Sequence, residues 1–186
     1  MKSKALRFPI AKDPAKFALL VIDVQSGLFQ KAHPVFHAEE FLHNILALVE
    51  KAHHSSVPVI YIQHSSPSAL VMGSPEWQLH PRLHPLHDEK IIQKQHPNAF
   101  EDTKLGETLQ AMDIGSLVIC GMVTHGCVKA TCIGALELGY HVVVAKDAHS
   151  NFNEQAPVLI DKWNQEFEVL KADVKPTTSI AFSQGG

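Results

Sequence analysis

The run Phe17-Ala-Leu-Leu-Val-Ile22, followed at once by Asp23, decides the fold of this sequence. Its six consecutive apolar residues have the length and composition of a strand buried on both faces of a sheet. A second run of the same kind, Ser116-Leu-Val-Ile-Cys120, lies far along the chain. Such strands occur in parallel sheets, whose crossover connections place helices over both sides. The two runs therefore predict an α/β protein with three layers, α/β/α, around a mostly parallel sheet.

Helical and strand patterns alternate along the rest of the chain. Apolar residues recur at the 3.6-residue period over residues 39–54, which predicts an amphipathic helix. Further strands are predicted at residues 57–62, 90–94, 141–145 and 167–172, and further helices at 103–112, 124–138 and 154–164. The proline-rich stretch 64–88 is predicted to be a long loop that forms a lid or a pocket wall. Because no repeat or linker interrupts this order, we expect a single domain over residues 1–186.

Composition restricts the classes of partner. Apolar residues make up 45% of the chain and charged residues 19%, which is typical of a globular protein. The formal net charge is −3 and no basic cluster is present, so we expect no nucleic-acid partner. The longest apolar run near the N-terminus has six residues, too few for a membrane span or a signal-peptide core. The three cysteines (Cys120, Cys127 and Cys132) give no disulfide framework, and we expect a cytoplasmic protein without a membrane partner.

Reactive side chains follow three of the predicted strands. Asp23 ends the first strand, Lys94 ends the third, and Cys127 follows the fourth after a short turn. Ligands of open parallel sheets bind beyond the carboxyl ends of the strands, so these three side chains are predicted to meet at one edge. Each residue alone has a simpler explanation, because charged residues often end strands and free cysteines are often buried. Together, the carboxylate, the ammonium and the thiol favour catalysis by a cysteine nucleophile.

The segment Gly121-Met-Val-Thr-His-Gly-Cys127 joins the fourth strand to the following helix. Backbone N–H groups at such a turn can hold a developing oxyanion. The start of a helix and the nearby Lys94 lower the pKa of a thiol, whereas an ionised Asp23 raises it. We expect the helix start and the lysine to prevail and to lower the pKa of the Cys127 thiol, or Asp23 and the thiol to share a proton and titrate jointly.

Four blocks of this sequence carry a family resemblance. The blocks are Leu20-Val-Ile-Asp-Val-Gln25, Lys94-Gln-His-Pro-Asn-Ala-Phe100, Val118-Ile-Cys-Gly-Met-Val-Thr-His-Gly-Cys-Val128 and Gly139-Tyr-His-Val-Val-Val-Ala-Lys-Asp-Ala148. In order and spacing they resemble the isochorismatase-like cysteine hydrolases, a family that includes nicotinamidases and N-carbamoylsarcosine amidohydrolases. The resemblance extends from about residue 17 to residue 150.

The resemblance implies a flavodoxin-like (isochorismatase-like) sheet and a catalytic triad of Asp23, Lys94 and Cys127. It also implies a cis peptide bond between Met122 and Val123, with the N–H groups of Val123 and Cys127 forming the oxyanion hole. In the implied reaction Cys127 attacks an amide, ureido or carbamoyl carbonyl of a small molecule, an amine or ammonia leaves, and water hydrolyses the thioester. No cofactor and no metal ion is implied.

The resemblance also bears on the substrate pocket and on assembly. We expect Leu28, Trp77 and Phe100 to bind the substrate, although each also fits ordinary packing. The family relationship further implies a homodimer or a higher homo-oligomer, as is common among soluble proteins.

The sequence departs from two named members of the family. Nicotinamidases carry an Asp-x-His metal motif after the second strand, where this chain has Ile62-Gln-His-Ser-Ser66, with His64 but no aspartate. Isochorismatases cleave a vinyl ether, and several of them lack the cysteine. Histidines also gather in His80-Pro-Arg-Leu-His-Pro-Leu-His87, where two prolines prevent a helix that would align the imidazoles. Metal binding at His64 or in this loop stays open, as do nicotinamidase-like activity, isochorismatase activity and a catalytically silent binding module.

Overall fold

Strands and helices alternate along the chain in the computed structural model, which describes residues 13–152 and 154–182. The strands are β1 (Asp13–Ile22), β2 (Val59–His64), β3 (Lys90–Lys94), β4 (Ile114–Met122), β5 (His141–Ser150) and β6 (Asp173–Lys175). The helices are α1 (Ala38–His54), α2 (Leu105–Ala111), α3 (Lys129–Glu137) and α4 (Ala156–Val169). None of these helices is long and apolar enough to cross a bilayer.

The strands form one parallel sheet in the order β3-β2-β1-β4-β5-β6. The predicted three-layer α/β/α fold around a parallel sheet is therefore confirmed. The strand order is one of the two common doubly wound arrangements, and it differs from the 2-1-3-4-5 order of flavodoxin itself. Chain order reverses between β1 and β4, and a crevice opens at such a switch point beyond the carboxyl ends of the strands.

Alternate residues of β1 face two separate cores. Leu19 and Val21 pack with the apolar face of α1 (Phe41, Leu42, Ile45, Leu48, Val49 and Ala52). Leu20 and Ile22 pack on the opposite face with residues of α2 and α3 and with Phe167 of α4. Because side chains alternate along a strand, an apolar run without polar interruption requires this double covering.

The connection from β2 to β3 is the long loop that the sequence predicts, and it covers residues 65–89. It turns back over the carboxyl end of β1, where the Ser26 N–H donates to the carbonyl of Gln78 and the His80 N–H donates to the carbonyl of Val24. Gln25 and Leu79 form an isolated antiparallel bridge between the two segments. The loop therefore forms a wall beside the carboxyl ends of the central strands.

The predicted strand at residues 167–172 is wrong. These residues are the end of α4 and the turn after it, and the edge strand β6 begins at Asp173. The alternating stretch Glu166-Phe-Glu-Val suggested a strand, but Phe167 lies four residues after Trp163, and the two ring centroids are 5.7 Å apart on one helical face. Burial of Phe167 against the sheet stabilises the helix here.

Candidate active site

Asp23 follows β1 directly, beside the switch point of the sheet. Its φ of +52° lies in the left-handed region, so the chain turns as it leaves the strand. Next to it, β4 approaches β1 at Gly121, whose φ is +121°. A Cβ atom at this position would overlap the carbonyl oxygen of Ile22, so only glycine allows the two strands to lie this close.

Cys127 lies in a wide helical turn between β4 and α3. The turn spans Thr124–Val128 and is entered through the peptide bond between Met122 and Val123, which is cis, as the resemblance implies. The helix predicted at residues 124–138 therefore begins as this wide turn and continues as α3. The role of the Val123 and Cys127 N–H groups as an oxyanion hole stays a prediction.

Thr124 connects this turn to β5 and α4. Its hydroxyl oxygen lies 2.9 Å from Nδ1 of His149, and Nε2 of His149 lies 2.9 Å from Oδ1 of Asn164. The amide nitrogen of Asn164 donates to the carbonyl of Lys146, so its Oδ1 is the acceptor for the Nε2–H of His149. Nδ1 of His149 then accepts the Thr124 hydroxyl proton. Burial lowers the pKa of His149 to about 4, which keeps the ring neutral.

The Lys94 ammonium connects the other two residues that the sequence predicts to be catalytic, Asp23 and Cys127. Its Nζ lies 2.7 Å from Oδ2 of Asp23 and 3.2 Å from Sγ of Cys127. The side chains of Lys94 and Asp23 are 0% and 3% exposed, so they form a buried ion pair beside the half-buried thiol. Residues that are 71 positions apart in sequence thus meet at the carboxyl edge of the sheet.

Burial controls the protonation of this group. It raises the pKa of Asp23, and the positive charge of Lys94 opposes that rise without cancelling it. The pKa of the Cys127 thiol is raised to about 12, first by burial and then by the negative charge of Asp23. The expected lowering of the thiol pKa is therefore wrong, because lost hydration and the carboxylate together outweigh Lys94. At neutral pH the thiol is protonated.

Two polar residues of the site were not among the predicted catalytic residues. His64, the last residue of β2, places its Nδ1 3.2 Å from Nζ of Lys94. The buried side chain of Gln25 fixes the His64 backbone, because its amide donates to the His64 carbonyl and its oxygen accepts the His64 N–H. The register between β2 and β3 is what identifies His64, because it pairs this residue with Lys94. The sequence alone does not align these two strands.

Asp23, His64 and Cys127 are the candidate metal ligands in the described part of the chain, because one ligand atom of each lies within 4.8 Å of the others. The Lys94 ammonium already hydrogen-bonds to all three and occupies the position that a cation would take. Within residues 13–152 and 154–182, the histidines of the segment 80–87 form no group of this kind.

The three predicted pocket residues lie in different surroundings. Trp77 belongs to the long loop, and its Nε1–H donates to Oγ of Ser65 at 2.9 Å. Leu28 lies in a short 3-10 turn after β1 and packs against the core beneath α1. Phe100 is a core residue with 4% exposure, in the same cluster against which Cys127 packs. A role of these residues in substrate binding stays a prediction.

Known proteins share this sequence pattern over most of its length. Residues 17–170 match the family model of the isochorismatase domain. The chain is similar to a streptothricin hydrolase of Streptomyces noursei, with 34% identity over 147 residues, 77% of this chain and 53% of that protein. It thus spans just over half the length of that relative. It is also similar to an uncharacterized isochorismatase family protein of Bacillus subtilis, with 32% identity over 136 residues, 70% of this chain and 76% of that protein.

A solved structure agrees with the sequence comparison. The crystal structure of an isochorismatase from Pseudomonas putida KT2440 superposes with a TM-score of 0.79 at 30% identity and covers 93% of each chain. The residues that match the family model include Asp23, Lys94 and Cys127. This chain therefore belongs to the isochorismatase family.

Proposed function

We propose that the protein is a cysteine hydrolase that cleaves a C–N bond of amide, ureido or carbamoyl type in a small molecule, through a thioester at Cys127. The observation that carries this proposal is the Lys94 ammonium, which lies 2.7 Å from the Asp23 carboxylate and 3.2 Å from the Cys127 thiol. A nucleophile, a proton acceptor and a cation that orients both are the parts that acyl transfer to a cysteine needs. Membership of the family, and similarity to a protein named a hydrolase, support it.

The first step couples attack to proton transfer. Since the thiol is protonated at neutral pH, Cys127 must lose its proton as sulfur attacks the carbonyl carbon. Oδ1 of Asp23 is buried and accepts no hydrogen bond from the described residues, so its lone pairs are available for that proton. The raised pKa of Asp23 makes the carboxylate a stronger base than an exposed aspartate.

The later steps return the proton and the thiol. As the C–N bond breaks, the protonated Asp23 donates to the leaving nitrogen, and the acyl group stays on Cys127 as a thioester. A water molecule then attacks the thioester carbonyl, Asp23 takes a proton from it, and the C–S bond breaks. The products are a carboxylic acid (or carbamic acid) and an amine or ammonia, and the thiol regains its proton. Lys94 holds the carboxylate in place throughout.

The test measures ammonia released from a panel of primary amides, ureas and carbamoyl compounds. We expect Cys127→Ala to reduce release to the level of the buffer, because Cys127 is the cysteine that lies beside Lys94 and Asp23. Cys132→Ala is the matched control, since this cysteine is fully buried in α3 and outside the site, and most activity should remain.

Acid-quenched reactions provide a second readout of the same step. The wild-type protein should carry the substrate's acyl mass on the peptide that contains Cys127, and that mass should disappear after hydroxylamine treatment. Undiminished ammonia release by Cys127→Ala would overturn the proposed mechanism.

A further inference from the structure

All three protons of the Lys94 ammonium have partners, and the third partner is a residue that the reaction above does not use. Two protons go to Oδ2 of Asp23 and Sγ of Cys127, and Nδ1 of His64 lies 3.2 Å from Nζ. An ammonium group can only donate hydrogen bonds, so Nδ1 of His64 must be the acceptor. The ring proton of the neutral imidazole is then on Nε2.

His64 also lines a cavity. The cavity has a volume of about 500 Å³, within the range of sites for small molecules. Its walls come from the end of β2, the long loop and the segment after β3 (His64, Ser65, Ser66, Pro67, Val71, Met72, Gln95 and His96). Val71 and Met72 are 47% and 56% exposed, so this cavity, which His64 also lines, offers apolar surface.

A ligand with an oxygen acceptor fits His64 better than a metal ion does. The ring's acceptor nitrogen is already occupied by Lys94, and that ammonium fills the space between His64, Asp23 and Cys127. What remains on the ring is the Nε2–H, a hydrogen-bond donor. One nitrogen of His64 lies within 4.8 Å of the thiol sulfur, so the ring lies within the length of a small molecule from the nucleophile.

We propose that His64 is a substrate-binding residue, whose Nε2–H donates to a second oxygen, of a carboxylate or a carbonyl, a few bonds from the scissile carbonyl. The substrate class that follows is a small amide or ureide with a second oxygen acceptor and an apolar linker lying along Val71 and Met72. This assignment rests on the proposed hydrolase function for its scissile bond. The hydrogen bond from Lys94 orients the ring for the donation.

Two amides of equal chain length test the proposal: succinamate, which ends in a carboxylate, and butyramide, which ends in a methyl group. The readout is the concentration of each amide that halves the rate of Cys127 alkylation by iodoacetamide, which requires binding but no turnover. We expect succinamate to protect the wild-type thiol at a concentration about tenfold or more below that of butyramide, the effect of one hydrogen bond to a charged acceptor.

His64→Asn separates the two roles of the ring. The shorter amide can still accept from Lys94 near the position of Nδ1, but it has no donor at the position of Nε2. In this variant the preference for succinamate should fall to about twofold or less, while unprotected alkylation changes by less than about threefold. His84→Asn, which changes an exposed histidine of the long loop, is the matched control and should retain the wild-type preference.

The outcomes separate this proposal from the hydrolase proposal. Equal protection by the two amides in the wild type, or an unchanged preference in His64→Asn, would refute the role of His64. Preferential protection by succinamate that is lost in His64→Asn would support His64 as a binding residue. If, in addition, no ammonia were released from the bound amide or from the wider panel, the hydrolase function would be refuted while the role of His64 would stand.

Discussion

Replacing Asp23 by asparagine should make Cys127 more reactive toward an alkylating agent while it abolishes hydrolysis. The Asp23 carboxylate raises the pKa of the Cys127 thiol, and Lys94 lowers it. The asparagine removes the negative charge and leaves the ammonium 3.2 Å from sulfur. A thiolate in the variant would therefore have a cation beside it and no anion.

The size of the effect follows from the geometry. A carboxylate oxygen of Asp23 and the sulfur of Cys127 lie within 4.8 Å. At that separation and an effective dielectric constant of about 20, the repulsion between carboxylate and thiolate is about 3.5 kcal/mol. Removing this repulsion lowers the thiol pKa by about 2.5. The thiolate fraction at pH 8 then rises about 300-fold, and the weaker nucleophilicity of a more acidic thiol offsets about 15-fold of this. Alkylation should become about 20-fold faster.

The assay is a time course with iodoacetamide between pH 7 and pH 9, with each cysteine followed by peptide mass. Cys120 and Cys132 are fully buried, so their slow labelling shows in the same sample that the variant remains folded. Asp113→Asn removes an exposed carboxylate far from the thiol and should leave the rate unchanged. Hydrolysis of amides should be lost in Asp23→Asn, because an amide side chain cannot carry the proton to the leaving nitrogen.

The two measurements should change in opposite directions in this variant: alkylation of Cys127 becomes faster and hydrolysis of amides is lost. A slower or unchanged alkylation of Cys127 in Asp23→Asn, at every pH in this range, would refute the electrostatic reasoning. It would mean that Asp23 assists the thiol as a base even toward an alkyl halide, or that its charge has no effect at sulfur.

Three further variants test the supports of the site. Lys94→Met leaves the buried Asp23 without its partner and should reduce the free energy of unfolding in urea by about 3–5 kcal/mol. The control Lys16→Met breaks an exposed ion pair and should cost less than about 1 kcal/mol. Equal losses in the two variants would contradict this prediction. His149 has a pKa of about 4 in the folded protein, below the ordinary 6.5. Between these two pH values the unfolded chain binds more protons than the folded protein. About 3 kcal/mol of the free energy of unfolding should therefore be lost as pH falls from 6.5 to 4. His149→Gln should remove that pH dependence in urea titrations, and an unchanged slope would exclude His149 as its source. Gly121→Ala should prevent soluble folding or greatly lower the melting temperature. Gly73→Ala, with no atom near its Cβ position, should reduce the free energy of unfolding by only about 1 kcal/mol. Similar melting temperatures of the two variants would contradict the close approach of β1 and β4.

The sequence predicts the framework of the site because its strands are marked by uninterrupted apolar runs. Once residues 17–22, 90–94 and 116–120 are recognised as strands of a parallel sheet, Asp23, Lys94 and Cys127 must lie at one edge. The direction of the thiol pKa shift could not be predicted in this way. It depends on how completely packing removes water from Asp23 and Cys127, and burial of this kind has no local pattern in the chain.

Two other features depend on distant partners in the same way. His64 meets Lys94 because of the register between β2 and β3, which the long loop between them leaves undetermined in the sequence. The end of α4 has a strand-like alternation, and only the packing of Phe167 with Trp163 and the sheet identifies it as helix.

The protonated resting state of Cys127 also has a consequence for its chemical durability. Peroxide and related oxidants react with thiolates, and cysteines that serve as redox sensors are exposed and have low pKa values. A thiol with a pKa of about 12, half-buried beside a carboxylate, is almost never a thiolate between catalytic cycles. Conversion to the sulfenic acid should therefore be slow while the site is empty. The same burial that makes Asp23 necessary as a base thus protects the nucleophile from oxidative inactivation.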